Sequence, residues 1–255
     1  MDQLVGNLRK AMSDNLDNLD WMGSDTKVQA RDKLAKFTPK IGYTEKFETY
    51  DSLMVSDSAF ANAIAANEWG YKDMLSQLGQ PIDKTEWFML PQTVNAYYSP
   101  NRNEIVFPAA ILQPPFFNIN ADPAVNYGAI GGVIGHEIGH GFDDQGSKSD
   151  GNGVLRNWWT SEDNAAFVAK TDALVGQYNA FCPLDNGEAC INGRLGLGEN
   201  TGDLGGLSMA YKAYKMSLDL DGDGVISKSE EAPIIDGLTG DQRLFMAWAP
   251  GWGTK

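Results

Sequence analysis

This 255-residue sequence contains two histidines, His136 and His140, which flank a glutamate in His136-Glu137-Ile138-Gly139-His140. On an α-helix, positions four apart share a face, so both imidazoles can converge on one metal ion. A catalytic zinc takes three protein ligands and leaves a fourth position for water. With no histidine left, the third ligand must be a carboxylate or a thiolate. Glu199, in Gly198-Glu199-Asn200-Thr201-Gly202-Asp203, is the best candidate because it opens a predicted helix, and Cys182 and Cys190 are its competitors. Asp203 lies four residues beyond Glu199, on the same side, where it can accept a hydrogen bond from the far nitrogen of a ligand histidine and fix its tautomer. Glu137 points to the open side of such a site and is the candidate general base acting on water. Asp143 and Asp144 follow His140 at helical reach and could either buttress it or lie on the surface as solvated carboxylates.

A second oxygen-rich pattern spans Asp219-Leu220-Asp221-Gly222-Asp223-Gly224-Val225-Ile226-Ser227-Lys228-Ser229-Glu230. It fits a twelve-residue EF-hand calcium loop. Carboxylates stand at positions 1, 3 and 5, glycine at the sharp turn of position 6, and a bidentate glutamate at position 12. Val225 would offer its carbonyl, and Ser227 would act directly or through water. Pro233 disturbs the exiting helix and no partner loop is present, so a lone loop of this kind should bind weakly. The competing reading is an acidic surface loop.

These groups need elements to hold them. Leu4, Leu8, Ala11, Met12, Leu16 and Leu19 recur at helical spacing. Ser24-Asp25-Thr26 is a plausible cap for a second helix running to the Thr38-Pro39 break. A third is predicted from about Ser56 to Leu78, ending at Gly79. Thr93 to Tyr98 and Glu104 to Phe107 have strand propensity and flank turn chemistry at Ser99-Pro100-Asn101-Arg102-Asn103, which predicts a hairpin. The motif helix is expected between Asn126 and Phe142; its many glycines are costly in a helix interior unless the helix packs closely in a buried position. A later helix, from about Asn200 to Leu218, carries the Glu199 segment.

The net charge of −14 argues against a nucleic-acid partner, which would need a basic footprint. No stretch approaches the roughly 18 apolar residues of a membrane span. Nor does the start of the sequence show the basic and apolar regions of a signal peptide. Cys182 and Cys190 could close a short disulfide or stand as two reduced thiols.

Taken together, Asn95-Ala96-Tyr97-Tyr98, Ile105 to Phe117, Val133 to Asp144 and Gly198-Glu199-Asn200 resemble, in this order, the neprilysin and endothelin-converting-enzyme family of zinc metallopeptidases. The resemblance implies a thermolysin-like zincin catalytic domain, mainly α with a small β-sheet. It implies zinc held by His136, His140 and Glu199, with Glu137 as base and Asp203 behind a ligand. Asn95 and the Ala96 backbone would bind an extended peptide by strand addition. Ile111, Phe116, Val133 and Trp252 would line an apolar pocket for the residue after the cut; without the resemblance, ordinary core packing is the preferred reading of those four. Residues 1–90 then read as a helical scaffold segment and 91–255 as the peptidase core, with loop 219–230 inserted between the Glu199 helix and the Leu238-to-Ala249 segment.

Two departures stand out. Thr201-Gly202 replaces the hydrophobic residue and alanine usual in the family's glutamate motif. The family's oxyanion-stabilising histidine and substrate-organising arginine, expected beyond a Trp-rich segment such as Ala247 to Trp252, have no counterpart. The expected function is therefore a zinc endopeptidase acting on oligopeptides before hydrophobic residues, with weakened turnover and a structural calcium loop. An extracytoplasmic setting suits such a loop better than cytosol. The rivals are a catalytically impaired metal- or peptide-binding fragment and a calcium-responsive binding module.

Overall fold

The computed structural model describes residues 1–253 and divides into two compact units, one of residues Met1–Gly42 with those from Met89 onward, the other Tyr43–Phe88. The architecture is α+β, mainly helical with one three-stranded sheet.

In the larger unit, helix α1 (Asp2–Asn18) buries Val5, Leu8, Ala11 and Leu16, the stripe its spacing predicts. Helix α2 (Ser24–Ala35) starts at Ser24 with Gly23 as its cap, and no side chain closes its first turn. Instead the Gly23 amide donates to Asp163, which also accepts from the Thr26 hydroxyl. Helix α2 ends before Thr38-Pro39, as expected, but the chain beyond it is ordered. Strand β1 (Thr38–Gly42) begins there and pairs in parallel with β3 (Glu104–Pro108), Thr38 opposite Glu104 and Gly42 opposite Pro108. Strand β1 is an edge, and an edge strand tolerates a proline because one row of its backbone groups has no ladder to serve.

The expected hairpin forms, though its first strand is short: β2 (Tyr97–Ser99) runs antiparallel to β3, and residues 93–96 approach it as irregular chain. Ile105, Val106 and Phe107 of β3 are completely buried. The smaller unit carries helix α3 (Ala59–Ser76), capped by the Ser58 side chain, which accepts from the Ala61 amide. No residue of α3 is buried; within the unit Trp69 donates to Ser52 and its ring meets Tyr50 at 4.9 Å.

The rest of the larger unit is helical: α4 (Pro123–Asn126), α5 (Gly132–His140), α6 (Ser161–Asn179), α7 (Leu197–Leu218) and α8 (Gly240–Trp248). A π-helical turn, Tyr127–Gly131, joins α4 to α5. Helix α8 is closed by a capping box in which Thr239 and Gln242 satisfy each other's backbone amides. Between α6 and α7 the two cysteines are joined, Cys182 to Cys190, and no free cysteine remains.

Candidate metal centre

Helix α5 is the glycine-rich segment; its partner α7 explains Gly135 and Gly139, while Gly132 lies against the Trp248 ring of α8. A Cβ on Gly135 would stand 2.5 Å from the Gly206 carbonyl oxygen, and one on Gly139 would stand 3.3 Å from the Gly202 Cα. The two helices therefore meet backbone to backbone. A β-carbon at 202 would itself press on the His136 ring, 2.9 Å from Nδ1. Such an approach is closed to larger residues. It places Glu199 and Asp203, in the first two turns of α7, opposite the two histidines of α5.

The resulting cluster is compact. One ligand atom from each of His136, His140 and Glu199 lies within 4.8 Å of the others, a group that could hold a metal ion. His136 Nε2 is 3.3 Å from one Glu199 oxygen and His140 Nε2 is 3.7 Å from the other. Ligand atoms ~2.05 Å from a tetrahedral ion lie roughly 3.4 Å from one another, so these separations suit zinc after small adjustments. The rings lie nearly perpendicular, at 86° with centroids 4.4 Å apart.

Each far nitrogen has a carboxylate. His136 Nδ1 is 2.8 Å from Asp203 Oδ1, and His140 Nδ1 is 2.8 Å from Asp143 Oδ2. With its Nδ1 proton so engaged, each ring presents a lone pair on Nε2. Burial pulls the His140 pKa down, but the Asp143 hydrogen bond and the charges of Glu137, Asp143 and Glu199 outweigh it, and the net direction is up. In solution, metal and proton compete for that nitrogen.

Glu137 lies between the two histidines in sequence and is buried. One of its oxygens, Oε2, has no hydrogen-bond partner, while the carboxylate accepts from the Tyr98 backbone. Burial, countered by the nearby histidines, pushes its pKa up to about 7 in the metal-free chain. A carboxyl poised near neutrality with one unpaired oxygen is suited to exchange a proton with a bound reactant.

Around the cluster opens a cavity of about 660 Å³ lined by Tyr98, Pro100, His140, Asp143, Gly198 and Glu199, among others. Edge strand β2 runs beside it; Ala96, just ahead of that strand, is buried and Asn95 is exposed. The four apolar residues expected to line a pocket have unequal surroundings. Ile111 belongs to the hydrophobic core, and Phe116 and Val133 pack partly buried against it. Trp252 is 55% exposed, with its ring 5.2 Å from that of Trp248.

Of the two aspartates after His140, Asp143 is buried and buttresses the ring, whereas Asp144 accepts from Gln145. The amide of Tyr98 acts through its backbone, which leaves no signature in residue type. The cysteines are closed on each other, which removes thiolate from the ligand set. A second group that could hold a cation is formed by Asp219, Asp221 and Asp223, just past the end of α7.

Residues 95–255 match the family model described as peptidase family M13, and residues 1–44 match a second model of that family. Endothelin-converting enzyme 1 of Rattus norvegicus is 38% identical, the match covering 98% of this chain and 33% of that enzyme. Neprilysin-3 of Drosophila melanogaster is 39% identical over 98% of this chain and 32% of its own length. Among solved structures, the zinc metalloprotease Zmp1 of Mycobacterium tuberculosis, crystallised with an inhibitor, superposes with a TM-score of 0.91 at 50% identity, covering 98% of this chain and 38% of that one. PepO of Lactobacillus rhamnosis gives a TM-score of 0.80 at 34% identity over 98% of this chain and 37% of its own. The chain spans about a third of the length of the curated relatives it matches.

Proposed function

Because this chain belongs to peptidase family M13, we propose that it is the zinc-bearing part of a metalloendopeptidase that hydrolyses oligopeptides on the amino side of hydrophobic residues. The observation that carries this reading is the convergence of His136, His140 and Glu199 beside the buried, half-unpaired carboxyl of Glu137.

Zinc, when bound, would supply Lewis acidity that polarises a carbonyl and acidifies water. His136, His140 and Glu199 would hold it, and Asp203 and Asp143 would keep both imidazoles in the tautomer that offers Nε2. Glu137 takes the proton from the attacking water as its oxygen bonds to the scissile carbonyl carbon. As the C–N bond breaks, the same carboxyl returns the proton to the leaving amine. The Tyr98 amide holds Glu137 in place meanwhile. Asn95 and the Ala96 backbone align an extended peptide against the β2 edge by strand addition. Ile111, Phe116, Val133 and Trp252 receive the side chain after the cut. The test is chelator-sensitive cleavage of a fluorogenic peptide, restored by zinc. Stoichiometric zinc with no cleavage by this chain would favour a metal- or peptide-binding role.

A second reading concerns loop 219–230, which we propose binds calcium and ties α7 to α8. Asp219, Asp221 and Asp223 converge, and Gly222 turns the chain at φ 77°. Glu230 folds back so that its oxygens accept from the Leu220 and Ser227 amides. Hydrogen bonds from the Ser227 hydroxyl and amide hold the Glu230 pKa down to about 2. The Val225 carbonyl and Ser227 would complete the shell. Calcium, and not magnesium, should raise the melting temperature of the wild type but not of Asp221→Ala; equal effects in both would refute it. A calcium-responsive binding module would show calcium-dependent peptide capture without cleavage. The Cys182–Cys190 disulfide supports an extracytoplasmic setting, where such bonds persist.

A further inference from the structure

Lysine is rarely found fully buried without a partner that needs its charge. Lys33, on the inner face of α2, is completely buried. Its ammonium donates to the Gly146 carbonyl at 2.6 Å and to the Ser149 carbonyl at 2.7 Å. It also faces the rings of Tyr98 and Phe142, each 5.7 Å from Nζ to centroid. The two carbonyls belong to the turn that follows α5. That turn wraps the buried Asp143, whose Oδ1 accepts from the Gln145 amide at 2.8 Å and from the Gly146 amide at 2.7 Å. The other oxygen of Asp143 holds His140. One unbroken series of contacts thus runs from Lys33 through Gly146 and Asp143 to a histidine of the metal cluster.

The two histidines are not supported alike. Asp203, behind His136, keeps 36% of its side chain in solvent, which can stabilise its charge. Asp143, behind His140, keeps 5%, so its charge needs balance from within the protein. We propose that Lys33 is a positioning residue for the metal centre, holding the Asp143 turn and balancing its charge so that His140, and not His136, depends on it. The proposal rests on the zinc reading only for its effect on metal affinity. Burial lowers the Lys33 pKa to about 8, with Asp143 and Asp150 opposing the fall, so the ammonium form prevails at neutral pH.

Having only two histidines makes this testable by ¹⁵N-histidine NMR on the full chain. In the metal-free Lys33→Met variant, which keeps the side chain's bulk, the His140 ring resonances should move while those of His136 stay. Its zinc affinity should fall about ten- to a hundredfold, as when a group supporting a metal ligand is lost. Thr26→Val is the control: Thr26 is equally buried on α2 but donates to Asp163. It should lower the melting temperature and move neither ring. If both rings move together in Lys33→Met, or neither does, the proposal is wrong. Should that variant not fold, zinc added to ¹⁵N-lysine wild type should shift the Lys33 ammonium signal, and an unshifted signal would overturn the assignment. Zinc that perturbs neither imidazole of the wild type would instead refute the zinc reading and leave the metal-free comparison standing.

Discussion

At the scale of single residues, Glu137 is where burial and chemistry conflict most. Its pKa is raised from 4.5 to about 7 in the metal-free chain, burial being the largest cause. A carboxyl whose folded pKa lies above its unfolded one contributes stability that is fully present below about pH 4.5 and is lost as pH rises through 7. In the metal-free protein, Glu137→Gln should therefore match the wild type at pH 4 and exceed it at pH 8 by on the order of 3 kcal/mol. Urea midpoints at the two pH values check this, and an advantage at pH 4 would contradict it. With zinc present the same variant should keep stoichiometric metal and lose cleavage by about a hundred- to ten-thousandfold, the range of a general base. Asp203→Ala probes the other histidine. Zinc competition with a colorimetric chelator should show affinity reduced about ten- to a hundredfold, with the ring of His136 the one displaced.

At the scale of elements, the crossing of α5 and α7 can be tested by a pair of adjacent glycines. A Cβ at Gly205 meets nothing within 4 Å, whereas one at Gly206 would stand 2.7 Å from the Gly132 carbonyl oxygen. Gly205→Ala should stabilise the chain by about 0.5–1 kcal/mol through helix propensity. Gly206→Ala should destabilise it by about 1–3 kcal/mol through overpacking and weaken zinc binding as well. Thermal melts of the two variants should shift in opposite directions. Much of this region is legible in the sequence. The histidine spacing, the glutamate four residues before Asp203 and the glycine-rich motif helix all carry a geometric reason, and the structure brings these groups together. Strand β1 is not legible, because Pro39 signals a break and only pairing with β3, more than sixty residues later, makes an edge strand of it. Lys33 shares a helical face with Thr26 and Ala30, both buried. A lysine on such a face could have been flagged, yet its purpose lies in carbonyls of a turn that no local pattern foretells.

At the scale of the whole molecule, the ligand set is assembled from α5 and α7, with α6 and the disulfide-closed loop between them in sequence. That disulfide joins residues 8 apart in sequence and should contribute about 2–3 kcal/mol by restricting the unfolded chain. Because it lies outside the metal-binding groups, reduction should lower the melting temperature and leave zinc stoichiometry unchanged. Loss of metal on reduction, in protein shown by circular dichroism to remain folded, would mean the loop reaches the site by a route the contacts do not reveal.

The helix crossing that sets the metal cluster has one more implication. Where two helices are separated by side chains, every core substitution that changes a volume can alter their spacing. Here peptide backbone meets peptide backbone at Gly135 and Gly206, so the separation is at its steric minimum and cannot tighten further. The distance between the histidine pair and Glu199 is insulated from the slow exchange of leucine, isoleucine and methionine in the surrounding core. Sequence drift can rework most of that core, and the metal geometry will stay the same as long as a handful of positions never acquire a side chain.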